Sequence, residues 1–103
     1  MARFDIYQNP DALQRKSVPY WLDVQNSFLE IETRVVVPLK LLAQFKVRVP
    51  RLNPTLTVAG VELVMDTSAL GAVPVSELRR NVGNQSLDQP VIQEALDVLF
   101  GGY

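Results

Sequence analysis

The sequence predicts a mainly β domain of short antiparallel strands that ends in one α-helix. Three observations support this class. The seven prolines are spread from Pro10 to Pro90, and proline interrupts helices and central strands, so the elements between prolines must be short. Several short segments alternate apolar and polar side chains, which is typical of half-buried strands. Only the last segment, residues 86–100, repeats its apolar residues at helical spacing.

Alternation and β-branched runs locate the strands. We predict strands at residues 4–7, 20–25, 34–37, 55–58, 61–65 and 72–75. The run Arg34-Val35-Val36-Val37 is apolar on both faces, so we expect it to be central and to end at Pro38. Residues 39–46 fit one or two helical turns, and residues 47–54 fit a loop.

Two turn signals support the later strands. Ala59 and Gly60 separate two strand-like segments, which predicts a hairpin with a two-residue turn. Pro74 cannot donate a ladder hydrogen bond, so its segment is confined to a sheet edge or a bulge.

The C-terminal helix has signals at both ends. Ser86 followed by Gln89 fits a capping box, Pro90 is tolerated in the first turn, and Gly101-Gly102 ends the helix. Its apolar face is broad enough to contact more than its own sheet, which favours a homodimer seam. That face comprises Leu87, Val91, Ile92, Ala95, Leu96, Val98 and Leu99.

Length and composition limit the possible functions. The chain has 103 residues, and we predict a single domain over residues 1–103. Ten Lys and Arg against eleven Asp and Glu give a net charge of −1, which argues against a protein that mainly neutralises phosphates. The absence of Cys excludes disulfides and thiolate sites, and the absence of His removes the commonest general base. Composition therefore favours a binding module over an enzyme.

The sequence contains no apolar run long enough to span a bilayer and no apolar segment typical of a secretory signal. We therefore expect a cytoplasmic protein without a membrane partner.

The acidic residues show no convergence toward a catalytic or metal site. Asp23, Glu30, Glu32 and Asp66 are scattered along the chain, and we expect them to be surface or turn acids. We predict no catalytic residue, no metal and no cofactor.

Basic residues cluster between Lys40 and Arg51. One interpretation is a solvated loop face. The other is a docking strip for an acidic peptide, because valines alternate with the basic residues and add apolar contact beside charge. Arg79-Arg80 is a weaker pair, and a nucleic-acid role for either cluster lacks interleaved aromatic residues.

Two aromatic residues leave alternatives open. Trp21 lies on a predicted strand and is either core or half-exposed, with core packing favoured. Tyr103 follows two glycines at the chain end, so it is either a frayed tail or a projecting anchor for a partner.

Several stretches together resemble the CcdB family of toxins from bacterial toxin–antitoxin modules. They are Leu-Asp-Val-Gln at residues 22–25, residues 34–39 with Val-Pro-Leu, Ala-Val-Pro-Val-Ser at residues 72–76, and the closing helix to Gly102. Their order and spacing agree from Phe4 to Tyr103.

The resemblance implies a small SH3-like barrel with a C-terminal helix, forming a homodimer. It implies a toxin that binds the A subunit of DNA gyrase and traps the gyrase–DNA cleavage complex. It further implies a cognate antitoxin with a disordered tail, and a toxin–antitoxin complex that binds operator DNA and represses its own operon.

The resemblance also implies which residues contact these partners. For gyrase they are Phe28, Leu29, Glu30, Asp97, Gly101, Gly102 and Tyr103. For the antitoxin they are Lys46, Val47, Arg48, Val49 and Arg51, with the region of residues 8–17 beside them. The best-known family pattern ends Phe-Trp-Gly-Ile, and Gly101 stands at its Trp position. Two alternatives follow: an endoribonuclease toxin of the MazF kind, which resembles this fold, or a degenerate non-toxic subunit that only binds antitoxin.

Overall fold

Within residues 1–102, seven antiparallel strands and one C-terminal helix form a half-barrel, which confirms the predicted fold class. The computed structural model describes residues 1–102. The strands are β1 (Asp5–Gln8), β2 (Tyr20–Asp23), β3 (Thr33–Leu41), β4 (Thr55–Val58), β5 (Val61–Met65), β6 (Gly71–Pro74) and β7 (Asn81–Asn84), and the helix is α1 (Gln89–Phe100).

Strand β3 is the centre of the sheet, as its β-branched run predicts. The strand order is β4-β5-β3-β2-β1-β7, with β6 also paired to β3. The prediction that β3 ends at Pro38 is wrong, because the strand continues to Leu41. On one side β2 pairs with residues 36–39 of β3, while on the other side β6 pairs with residues 33–36 and β5 with residues 39–41. Pro38 lies at this change of partner, where no ladder hydrogen bond requires its missing N–H.

The hairpin prediction is confirmed, but the helical prediction before it holds only in part. Ala59 and Gly60 have φ of 51° and 79°, the positive values of a type I′ turn between β4 and β5. Of residues 39–46, the first three extend β3, and only Leu42–Gln44 form a single 3₁₀ turn.

The start of α1 differs from the predicted capping box. Ser86 belongs to a separate 3₁₀ turn (Ser86–Asp88), and the helix begins at Gln89 without a side-chain cap. Leu87 therefore leaves the predicted apolar face and is 97% exposed. Pro90 does lie in the first turn, and Gly101 ends the helix with a left-handed φ of 77°, both as predicted.

Two apolar clusters lie on opposite faces of the strands. Alternate residues such as Ile6 and Leu22 face α1, whereas Tyr7 and Trp21 face away from it. The larger cluster comprises Phe4, Ile6, Leu22, Val37, Leu39, Leu56, Val58, Leu63, Met65, Ile92, Ala95 and Leu96. The smaller contains Tyr7, Val36 and Leu78, with Trp21 and Val73 packed against it. Trp21 is thus half-buried and packs at the edge of the second core.

Among the described residues, 1–102, no helix has the length and apolar content needed to cross a membrane.

Candidate functional site

The connection between β2 and β3 displays apolar side chains to solvent. We call residues 26–32 the Phe28 loop. The Phe28 side chain is 92% exposed, and Leu29 and Ile31 are about half exposed. Glu30 is exposed beside them. The Asn26 Oδ1 atom accepts a hydrogen bond from the Phe28 N–H at 2.9 Å, which shapes the tip of the loop. Such exposed apolar groups are typical of a protein-binding surface.

A buried ion pair holds the Phe28 loop from beneath. Arg34, 2% exposed, donates to both carboxylate oxygens of Asp23 at 2.7 and 2.9 Å. Its remaining donors reach the backbone carbonyls of Gln25, Asn26 and Leu29 at 3.1–3.4 Å. All donor positions of the guanidinium therefore have an acceptor, and three of these acceptors belong to the chain entering or forming the loop.

This burial corrects part of the prediction for the acidic residues. Asp23 is fully buried rather than a surface acid, and Asp66 is 7% exposed and ion-paired to Lys40 at 2.8 Å. Glu30 and Glu32 are exposed, as expected. Among residues 1–102, no group of three or more acidic side chains could hold a metal ion.

The geometry at the C-terminal end of α1 explains why glycine occupies positions 101 and 102. Gly101 adopts the left-handed conformation, which only glycine enters without strain. The Gly102 N–H donates to the Asp97 carbonyl at 2.8 Å, and a Cβ added to Gly102 would lie 3.1 Å from the Asp97 Cβ. The Asp97 side chain is half-buried and accepts a hydrogen bond from Gln93 at 3.0 Å. Tyr103 lies outside the described residues.

Arg3 joins the Phe28 loop to the helix. Its backbone N–H donates to the Ser27 hydroxyl at 2.8 Å, and its Nε donates to the Val24 carbonyl at 3.1 Å. Its Nη2 donates to the Gln93 Oε1 at 2.8 Å, across 90 residues of sequence. Gln93 in turn reaches Asp97. The structure thus links the Phe28 loop and Asp97 through one chain of hydrogen bonds. Sequence reasoning missed Arg3, because no local pattern relates it to the helix.

Two further titratable groups lie on the face of the sheet that contains the Asp23–Arg34 pair. Burial, followed by the negative charges of Asp5 and Asp23, raises the pKa of the Tyr7 hydroxyl to about 12. Burial also opposes ionisation of Asp5, but hydrogen bonds from Asn84, the Ala2 N–H, Asn81 and Tyr7 outweigh it, so the pKa of Asp5 is lowered. Tyr7 is therefore a neutral donor and Asp5 an ionised acceptor at neutral pH.

The predicted antitoxin strip lies on a second loop. We call residues 46–53 the basic loop. Val47 is 80% and Val49 50% exposed, and Lys46 and Arg48 are exposed beside them. Arg51 differs, because its Nε lies 2.9 Å from a carboxylate oxygen of Glu94 on α1. Most of the strip thus faces solvent, while Arg51 reaches toward the helix.

One buried amide holds the basic loop. Asn53 is 4% exposed, accepts a hydrogen bond from the Val49 N–H at 3.0 Å and donates to the Met65 carbonyl at 3.1 Å. The Thr67 hydroxyl donates to the Leu52 carbonyl. The loop is therefore fixed to β5 and to the turn that follows it.

Sequence and structure comparisons bear on these surfaces. The family model described as CcdB protein matches residues 3–102. The chain belongs to the CcdB family. CcdB proteins are toxins of toxin–antitoxin systems that act as inhibitors, so this chain is a toxin-family member and an antitoxin is its expected partner. No curated protein matches the chain in sequence comparison.

A solved structure supports the fold assignment. This chain is similar to a solved structure of an endoribonuclease in complex with its cognate antitoxin from a mycobacterial species. The TM-score is 0.76 at 17% identity, over 98% of this chain and 95% of that one. At this identity the likeness shows only that the CcdB-family chain shares the fold of that endoribonuclease.

Proposed function

We propose that this protein is a toxin that binds the A subunit of DNA gyrase and traps the enzyme in its DNA-cleaved state. The observation that supports this proposal is the chain of hydrogen bonds that runs from the Phe28 loop through Arg3 and Gln93 to Asp97, near the end of α1. Family membership supports the same assignment.

The mechanism is binding, with no bond made or broken by the toxin. A ligand that binds only one state of an enzyme shifts the population toward that state. The Phe28 loop suits this task because Arg34 holds it in place before the partner arrives. Little ordering entropy is then lost when the apolar side chains are buried at an interface.

Growth assays test the target. We expect expression to arrest cells with wild-type gyrase and to spare cells that carry a resistant gyrase A subunit. Phe28→Ala should lose most of the arrest, because a buried interface aromatic contributes about 2 kcal/mol or more, roughly a thirtyfold change in affinity. Leu13→Ala is the matched control: Leu13 is also exposed, at 79%, but lies outside this surface. Equal arrest by both variants would contradict the proposal.

The same assay separates the alternatives. An RNA-cleaving toxin is the second candidate, favoured by the similarity to a structure named as an endoribonuclease. It predicts equal arrest in both strains together with RNA decay. A degenerate subunit, for which Gly101 at the family's Trp position is the main support, predicts no arrest in either strain.

We propose that the basic loop binds an acidic, disordered tail of the antitoxin. Exposed Val47 and Val49 offer apolar contact between the cations Lys46 and Arg48. Lys46→Glu with Arg48→Glu should weaken antitoxin binding and reduce its salt dependence, while Arg79→Glu should leave both unchanged. An unchanged affinity in the first variant would contradict this assignment.

We also propose a homodimer, and autoregulation in which only the toxin–antitoxin complex binds operator DNA. Val91 and Phe100 of α1 remain 41% and 70% exposed, which leaves apolar surface for a second copy. Light scattering should give twice the 11.5 kDa chain mass. A mass that stays at one chain at micromolar concentration would contradict the dimer.

A further inference from the structure

We infer that the face of the sheet opposite α1 contains a binding site for a phosphorylated nucleoside, either free or as a unit of single-stranded RNA. The site begins in a cavity of about 380 Å³. We call it the arginine cavity, and its lining residues are Gln8, Pro10, Arg15, Glu77, Arg79 and Arg80.

The fold assembles this cavity from two distant parts of the sequence. Arg15 comes from the turn that follows β1, whereas Arg79 and Arg80 precede β7. The Gln8 N–H donates to the Arg80 carbonyl at 2.9 Å, which fixes the two parts against each other. In the sequence, Arg79 and Arg80 form only a pair of basic residues, because Arg15 joins them only in the folded chain.

Backbone carbonyls orient two of the guanidinium groups without neutralising them. Arg15 donates from Nε to the Asn9 carbonyl at 2.8 Å and from Nη2 to the Pro10 carbonyl at 3.4 Å. Arg79 donates from Nε to the Ser76 carbonyl at 3.1 Å. Within residues 1–102, none of the three arginines forms a salt bridge. Each guanidinium therefore keeps its positive charge and unused N–H donors.

The charge of the cavity selects an anion. Three guanidinium groups share it with a single carboxylate, that of Glu77. Like charges that line one cavity repel each other, and a bound anion relieves the repulsion. The planar fork of arginine matches the oxygen geometry of phosphate, so a phosphate group fits this end of the site.

An adjoining cavity of about 450 Å³ indicates which chemical group the phosphate would be joined to. It shares Pro10 and Glu77 with the arginine cavity and is further lined by Trp21, Asp11, Asn9 and Gln14. Aromatic side chains stack on nucleic-acid bases, so Trp21 suits a base, and the Gln14 amide and the Glu77 carboxylate can bond to its edge. The Asn9 amide and one carboxylate oxygen of Asp11 already bond within the chain and shape this cavity. A ligand with a phosphate at one end and a base at the other is a nucleotide. An acidic peptide would place its repeated charges against Asp11 and Glu77, so the second cavity disfavours it.

This site shares no residue with the surface proposed for gyrase, but it includes part of residues 8–17, which the family resemblance implies for the antitoxin. Growth arrest tests that surface, and nucleotide binding by the purified chain tests this site, so either proposal can fail alone.

Trp21 is the single tryptophan, so its emission reports directly on the site. We would titrate the full chain with AMP, adenosine, inorganic phosphate and pentaadenylate RNA, following fluorescence and calorimetry together. We expect AMP to change Trp21 emission and to bind at least about tenfold more tightly than adenosine or phosphate. Arg15→Gln and the double variant Arg79→Gln/Arg80→Gln should each weaken AMP binding about tenfold or more. Arg48→Gln, an exposed arginine of the basic loop, should not.

The remaining outcomes are distinguishable. Tighter binding of pentaadenylate than of AMP identifies the ligand as an RNA strand, and equal binding identifies a free nucleotide. The inference is overturned if neither titration detects AMP. It is also overturned if the arginine variants, folded by circular dichroism, bind AMP like the original chain. A glutamate-rich peptide that binds more tightly than AMP would likewise overturn it and assign the cavity to an acidic peptide.

Discussion

The Phe28 loop and the basic loop are both exposed connections that display apolar side chains, yet they are held in different ways. A buried ion pair, Asp23–Arg34, holds the Phe28 loop, whereas a neutral amide, Asn53, holds the basic loop. A buried charge without its partner is far more costly than an unpaired amide. The conformation of the Phe28 loop is therefore the more strictly determined, which suits a rigid surface presented to a large enzyme. The basic loop suits a partner that adapts by folding onto it.

The largest expected effect on the difference between the two loops is that of Asp23→Asn. The substitution leaves Arg34 buried without its counter-charge, and we expect the free energy of unfolding to fall by about 3–5 kcal/mol. Urea denaturation measures the loss. Glu30→Gln is the control, because it removes an exposed acid of the Phe28 loop and should change stability by less than about 0.5 kcal/mol. Similar losses in both variants would show that the ion pair does not hold the loop.

High pH should weaken the region around the same ion pair. The pKa of Tyr7 is raised to about 12, so the folded protein holds that proton more tightly than the unfolded chain, in which the pKa is near 10. The resulting stabilisation is complete below pH 10 and is lost as the pH rises through 12, roughly 2–3 kcal/mol in all. Unfolding measured from pH 9 to 12 should show this slope in the original chain and a smaller slope in Tyr7→Phe. Identical slopes would contradict the assignment.

Replacing the amide of the basic loop should have a smaller effect than breaking the ion pair. Asn53→Ala leaves the Val49 N–H and one bond of the Met65 carbonyl without a partner, and we expect a loss of about 1–3 kcal/mol. Asn26→Ala removes one exposed hydrogen bond in the Phe28 loop and should cost less than about 0.5 kcal/mol. Both are measured by thermal unfolding. A larger loss for Asn26→Ala would reverse the comparison between the two loops.

The parts of the fold with strong local signals could be predicted from the sequence. Alternation located most strands, the Ala59-Gly60 turn located the hairpin, and the apolar spacing of residues 91–99 located the helix. Strand β7 was not predicted, because its Asn-Val-Gly-Asn sequence is exposed throughout, has a single large apolar residue and depends on pairing with β1. Ser86 satisfies the capping pattern, but the chain there forms a 3₁₀ turn first.

The candidate site was less predictable because its key contacts are long-range. Asp23 and Arg34 belong to residue types that are usually exposed, and only the pairing of β2 with β3 brings them together in a buried position. Arg3 and Gln93 are 90 residues apart in sequence and meet only because the fold brings the segment before β1 to α1. The residues of the basic loop could be grouped from sequence, since they are neighbours in the chain. Its attachment to α1 through Arg51 could not.

The exposed Arg51–Glu94 ion pair, which connects the basic loop to α1, has the smallest expected effect. It allows an exposed ion pair to be compared with the buried Asp23–Arg34 pair. Arg51 and Glu94 are 57% and 43% exposed, so water screens the charges of this pair. A double-mutant cycle with Arg51→Gln and Glu94→Gln should give a coupling energy of about 0.2–1 kcal/mol that shrinks with added salt. The buried pair beneath the Phe28 loop should show a salt-insensitive loss in Asp23→Asn. If the Arg51–Glu94 coupling instead exceeded 2 kcal/mol and resisted salt, the basic loop would be fixed to the helix by charge as firmly as the Phe28 loop is fixed to its sheet.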